Sequence, residues 1–244
     1  MTGAAAYARK SATRQVALRV AFFALPPALA ATYILALRAA LSDAFFQIAF
    51  VAMVGYLLTP LGAEFWVPTS VLAVQAQGGG VAEAAWAVGS VVLVDWFSAL
   101  FLLWNFDLAE RMPWVGKFID RTEVRCRRFL AEKPWRQRLA LLALALYVAL
   151  PVQMSGGVVG SILGRVMGIP RYRVFAIVCA ASAAGAFPIA AATWVIGPPV
   201  VAWALAWAGS GLALVLGVLV LVAFVAAIVY MVRRGRKGGN DEAA

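Results

Sequence analysis

LPVQMSGGVVGSILGRVMG, residues 150–168, decides how the rest of the chain is read. It sits within an apolar sequence, yet it holds a proline, a glutamine and five glycines, a composition that suits no uninterrupted membrane helix. Pro151 lacks an amide hydrogen and stops the incoming segment Leu139–Leu150, and Val158–Leu163 beyond the break is too short to cross a bilayer. The same design occurs upstream. Phe45–Leu58 runs into LTPLGAEFWVP (Leu58–Pro68), whose Pro60 and Pro68 mark a break, and Phe65–Val74 follows it. Two pairs of short apolar segments, each joined across a Pro/Gly break, predict two helical hairpins that turn back inside a membrane.

The composition supplies the membrane. With 64% hydrophobic and 13% charged residues in 244, the chain has more apolar surface than one soluble core can hide. Val16–Leu37, Val81–Trp104, Val174–Ile196 and Gly211–Val232 each approach the roughly 20 residues needed to cross a hydrocarbon core of about 30 Å. The basic N-terminus leads into a first apolar run that holds Pro26 and Pro27 and shows no small-residue cleavage site, so it reads as a retained helix. Histidine is absent, and Cys126 and Cys179 are far apart, so no metal, cofactor or disulfide is expected. Without a histidine Ser155 has no activating base, and no enzymatic activity is expected.

Basic residues mark the cytoplasmic ends of membrane segments. Arg9, Lys10 and Arg14 precede the first span; Asn105–Arg138 carries nine Lys/Arg against five Asp/Glu; Arg165, Arg171 and Arg173 follow the second hairpin; Arg233, Arg234, Arg236 and Lys237 end the chain. All of these fall on one side if four segments span and both hairpins return to the face they entered. The expected fold is therefore an all-α integral membrane protein: an inverted repeat with two opposed re-entrant hairpins and about four full transmembrane helices. It forms one membrane domain over residues 1–244. Residues 16–104 make the first half, with an outside-entering hairpin at 45–76, and 105–138 a cytoplasmic basic loop. Residues 139–232 make the second half, with an inside-entering hairpin at 139–164, and 233–244 a cytoplasmic tail. The chain is expected in the cell membrane, with both termini on the cytoplasmic side.

Short interrupted segments at matching places in two halves point to a transporter's substrate site, because unpaired backbone at membrane depth must be buried in protein or line a cavity. Gln153, Ser155, Gly156 and Gly157 occupy the turn of the second hairpin and are candidate substrate contacts. A packing reading stands beside this one: Gly156, Gly160 and Gly164 form a smooth stripe on a helix, and Ser155 can serve as an N-cap. The start of the returning half-helix also suits an anionic group. Two acids belong to the same depth. Glu64 lies at the tip of the first hairpin and Asp95 near the middle of a span, and intramembrane carboxyls of this kind carry substrate or protons. The alternatives are a charge favourable to its own helix dipole for Glu64 and a hydrogen bond to a neighbouring helix for Asp95.

PVQMSGGVVGS (Pro151–Ser161) resembles the second hairpin motif of the small multidrug export proteins, a branch of the DedA/VTT membrane superfamily. Glu64 with Pro68, and GSVVLVD (Gly89–Asp95), are similar to that superfamily's first hairpin and next span. The resemblance implies paired re-entrant hairpins and a transporter or flippase for a lipid-linked or amphiphilic, anionic substrate such as a polyprenyl phosphate. The chain departs from the DedA pattern by lacking an arginine in the second hairpin and a second acid in the first. Two other functions fit the residues: a proton-coupled exporter of small hydrophobic cations, and a membrane scaffold that transports nothing.

The loop DLAERMPWVGKFIDRTEVRCRRFLAEKPWRQR sets Trp114, Phe118, Val124, Phe129 and Trp135 among arginines, the pattern of a helix lying on the inner leaflet. An ordinary topology-setting loop would read the same way. The net charge of +10 thus finds a partner in membrane lipid, and no nucleic-acid-binding module is expected. Oligomeric state leaves no trace in the sequence.

Overall fold

The computed structural model describes residues 2–59, 61–110, 132–150 and 156–197, with scattered positions between 124 and 130 and between 199 and 226; for residues 2–19 and 107–110 it describes only the backbone. Among the described residues every regular element is a helix. In order these are α1 (Thr2–Ala40), α2 (Asp43–Leu58), α3 (Ala63–Ala76), α4 (Val81–Glu110), α5 (Pro134–Ala149), α6 (Gly157–Val166) and α7 (Arg171–Ile196). Val20–Ala40, Val81–Phe106 and Arg171–Ile196 are long and apolar enough to cross a membrane. Together with the exposed apolar side chains along their flanks, they mark a multi-pass membrane protein. The expected last span, Gly211–Val232, falls largely outside the described residues.

α4 is the centre of the bundle, packed against α1, α2, α3, α6 and α7. α1 runs antiparallel to it and is held by a repair of its own proline break. Pro26 has no N–H to give the Phe22 carbonyl one turn earlier, and Asn105 of α4 donates its side-chain amide to that carbonyl at 3.1 Å. Phe23 meets Phe101 edge-on at 5.3 Å. Nearer the other end of α4, the Tyr33 hydroxyl lies 2.9 Å from Ser90 Oγ.

α7 is also antiparallel to α4. The Arg171 guanidinium lies 5.6 Å from the Trp104 ring near the end of α4. At the opposite end of α7, Gln75 of α3 donates to the Trp194 carbonyl at 3.0 Å. The buried side chains form two clusters along this axis. One joins α1, α2, α3 and the first half of α4 to Ala186. The other joins the second half of α4 to α5, α6 and the first half of α7, and takes in Cys126 and Leu130 from the basic segment. That segment is therefore partly docked on the bundle. Val124 and Trp135 are exposed, as a surface-lying segment requires; Trp114, Phe118 and Phe129 lie outside the described residues.

The short helices pair side by side. Phe45 at the start of α2 lies against Val74 and Gly79 at the far end of α3, so the two run antiparallel. In α5 and α6, Val148 lies against Gly160 and Leu144 against Gly164, again antiparallel. One expectation needs correction. Pro68 is not a break: it is a buried residue inside α3, which starts at Ala63 and continues through it. The interruption between α2 and α3 is confined to residues 59–62, because a proline near the start of a helix removes only one internal hydrogen bond, and the packed ring offsets that loss. Pro60 and Pro151 lie outside the described residues.

Candidate functional site

The ends of the short helices converge on the middle of α4. α6 begins at Gly157 with Gly156 as its N-cap, and no side chain of that cap bonds the first turn. Helix starts leave unsatisfied amides, and in an apolar interior no bulk water is available to take them. Asp95 supplies the acceptor: its Oδ1 receives the Gly157 N–H at 2.7 Å and the Tyr56 hydroxyl at 2.9 Å. The approach depends on glycine. A Cβ on Gly156 would lie 2.7 Å from the Tyr56 oxygen and 2.8 Å from Asp95 Oδ1, closer than such atoms can stand. The first amide of α6, which the sequence reading offers to an anionic group, is thus already taken by a carboxyl of the chain itself.

Glu64 lies in the first turn of α3 and is 1% exposed. Its Oε1 accepts the N–H of the N-cap residue Gly62 at 3.2 Å, a local bond that favours the start of α3. Its Oε2 is buried and has no hydrogen-bond partner among the described residues. A buried carboxyl oxygen left in this way is costly unless something else meets it.

Glu64 and Asp95 line a single cavity of about 340 Å³. Tyr56, Gly156 and Gly157 are also in its wall, with Ser98 of α4 and Ser182 of α7 as further polar groups. Ser182 is held by the Trp96 ring N–H at 3.2 Å. Apart from Thr59 the rest of the described wall is apolar or glycine, and among the described residues no lysine or arginine reaches it. The neighbouring undescribed positions, Pro60 and Pro151–Ser155, include no basic residue either.

Four of the six residues singled out in the sequence thus meet at one place: Glu64, Asp95, Gly156 and Gly157. Gln153 and Ser155 lie outside the described residues. Tyr56 was not singled out, although a signal existed. A tyrosine near the end of an apolar half-helix needs a partner for its hydroxyl, and the first hairpin's turn places it beside the acid of α4. Ser98 and Ser182 carried no such signal.

Residues 70–187 match the family model described as "Putative small multi-drug export protein". The matched stretch is just under half of the 244 residues. It runs from within α3 into α7, takes in Asp95, Gln153, Ser155, Gly156 and Gly157, and leaves Glu64 outside. No curated protein and no solved structure matches the chain.

Proposed function

We propose that this protein is a membrane transporter, not an enzyme, that exports small amphiphilic cations in exchange for protons through the cavity shared by Glu64 and Asp95. The observation that carries the reading is the wall itself: two buried carboxyls lining one cavity, with no basic group among its described residues. Such a site attracts a positive headgroup, and an anionic one would meet like charge without a counter-ion. The match to a small multi-drug export family supports the same class of activity. The polyprenyl-phosphate flippase implied by the DedA/VTT resemblance is set aside for that electrostatic reason, and a scaffold needs no carboxyl-lined cavity.

In this reading α2–α3 and α5–α6 are re-entrant hairpins entering from opposite faces, the two halves of an inverted repeat, with their tips meeting at Asp95. What supports it is that α2 starts beside the end of α3, that α5 and α6 pair likewise, and that Tyr56 and Gly157, one from each pair, bond the same carboxyl oxygen. Alternating access by one hairpin moving against the other would expose the acids to each side in turn. The termini and the basic loop are assigned to the cytoplasmic face of the cell membrane by their charge.

The experiment is counterflow in liposomes containing the purified chain, with a labelled alkylammonium cation and a labelled polyprenyl phosphate run in parallel under an imposed pH gradient. Gradient-driven movement of the cation alone, lost in Asp95→Asn and Glu64→Gln, is expected. Movement of the phosphate alone, or cation transport untouched by both substitutions, refutes the proposal.

A further inference from the structure

A second concavity joins the carboxyl-lined cavity from the side. It is an open-sided groove of about 330 Å³ between α1, α4 and the start of α6, with Pro27 and Ala30 on the α1 wall and Phe97, Phe101 and Leu102 on the α4 wall. Ser98 and Val158 line both the groove and the cavity. The junction is close to the acid: Ser98 lies one helical turn from Asp95 on the same side of α4, and Val158 directly follows Gly157, whose N–H Asp95 holds. No charged residue lines the groove among those described. Val158, which lines both, is 45% exposed. α1 is fixed at this level by Asn105 on the Phe22 carbonyl, which makes the opening a built feature of the bundle.

We infer that this groove is a side entrance and tail site, in which the alkyl chain of an amphiphilic cation lies between α1 and α4 while its positive headgroup enters the cavity at Asp95. The inference rests on the proposed transport function and adds to it a binding place for the substrate's tail and a route of entry. The occupant follows from continuity. An amphiphile dissolved in the bilayer already has its tail in hydrocarbon, and an apolar trough open to lipid lets the tail stay there while only the headgroup crosses into the polar cavity. A water-soluble cation has no use for such a trough.

The test compares decyltrimethylammonium with butyltrimethylammonium, each assayed for transport in liposomes with the full chain and with two variants that fill the groove away from the cavity, Ala30→Phe and Leu102→Trp. The decyl-to-butyl ratio of kcat/KM should fall roughly tenfold in both, the scale on which an apolar site discriminates by shape. An unchanged ratio in both variants overturns the inference. A second measurement needs no turnover: decyltrimethylammonium with a diazirine at the chain end is photolysed on the reconstituted protein and its adducts are mapped. Adducts on Phe97, Phe101 or Ala30 that unlabelled decyltrimethylammonium competes away support the tail site. Adducts spread over lipid-facing positions such as Leu35 and Leu142 overturn it. If the wild-type chain moves neither cation, the transport proposal fails, and the adduct map still decides the groove.

Discussion

Gly157→Ala tests the contact on which the site is built. A Cβ at this position would lie 2.9 Å from both Cα and C of Asp95, and nearer still to its carbonyl oxygen. These are backbone atoms of the central helix and have no rotamer to yield. Carbon atoms rest at about 3.5 Å or more, so α6 must withdraw by roughly 0.6 Å at least. The Gly157 N–H to Asp95 bond, now 2.7 Å, then stretches beyond the range of a good hydrogen bond and leaves the buried Gly157 N–H unpaired, while Asp95 Oδ1 keeps the Tyr56 hydroxyl. The lost bond costs about 1–3 kcal/mol and the overpacking about as much again, which together come to about 2–6 kcal/mol. For a chain of this size that is a fall in melting temperature on the order of 10 °C. The assay is thermal unfolding of the purified protein in detergent, with Gly89→Ala as the comparison. Gly89 lies in the same span as Asp95, but a Cβ there meets nothing within 4 Å. Alanine is also the better helix former, so that variant should melt at or slightly above the wild type. If Gly157→Ala melts within about 2 °C of Gly89→Ala, α6 does not approach α4 as described and the Asp95 cap is wrong.

Tyr56→Phe removes one of the two donors on Asp95 Oδ1 and should lower stability by about 1 kcal/mol, visible as a small drop in melting temperature; no change would mean that the bond contributes nothing. Asn105→Ala strands the Phe22 carbonyl and should cost about 1–3 kcal/mol. In a Pro26→Ala background, where the helix can supply its own N–H, the same substitution should cost clearly less, and a cycle with no coupling would contradict the proline-repair account. Cysteines placed at Gln77 and Arg173, in a chain whose Cys179 is replaced and whose Cys126 is already buried, should react with impermeant thiol reagents from opposite faces of a sealed vesicle. Reaction from the same face would show that α7 does not cross.

What the sequence made legible follows from which signals are local. Apolar run length located the short helices and three of the four expected spans: Phe45–Leu58 became α2 from Asp43, Val158–Leu163 became α6 with three more residues at its end and one at its start, and Val174–Ile196 became α7 from Arg171, whereas α1 begins at Thr2, well before Val16, and Gly211–Val232 falls largely outside the described residues. Pro68 misled because a proline's effect depends on where a helix begins, and α3 starts only a turn and a half before it. The acids stood out because charge at membrane depth is rare, so Glu64 and Asp95 needed no partner to be noticed. Glu64 makes the local bond that its place at a helix start suggests, to the Gly62 N–H; for Asp95 a hydrogen bond to a neighbouring helix was legible as a kind of contact, but its partners were not, since they lie far away in the chain. Asp95 reaches Gly157, 62 positions away, and Tyr56, 39 away, and no periodicity records either pairing. That long-range bond also reverses the electrostatic argument. A half-helix start considered alone is a positive end that invites an anion, but one already holding a carboxyl from α4 presents its neighbourhood as acidic. In the proposed function the sign of the substrate therefore depends in part on a tertiary hydrogen bond, and a replacement that frees the α6 amide without the carboxyl, Asp95→Ala, should weaken cation transport in the liposome assay and shift selectivity towards anions.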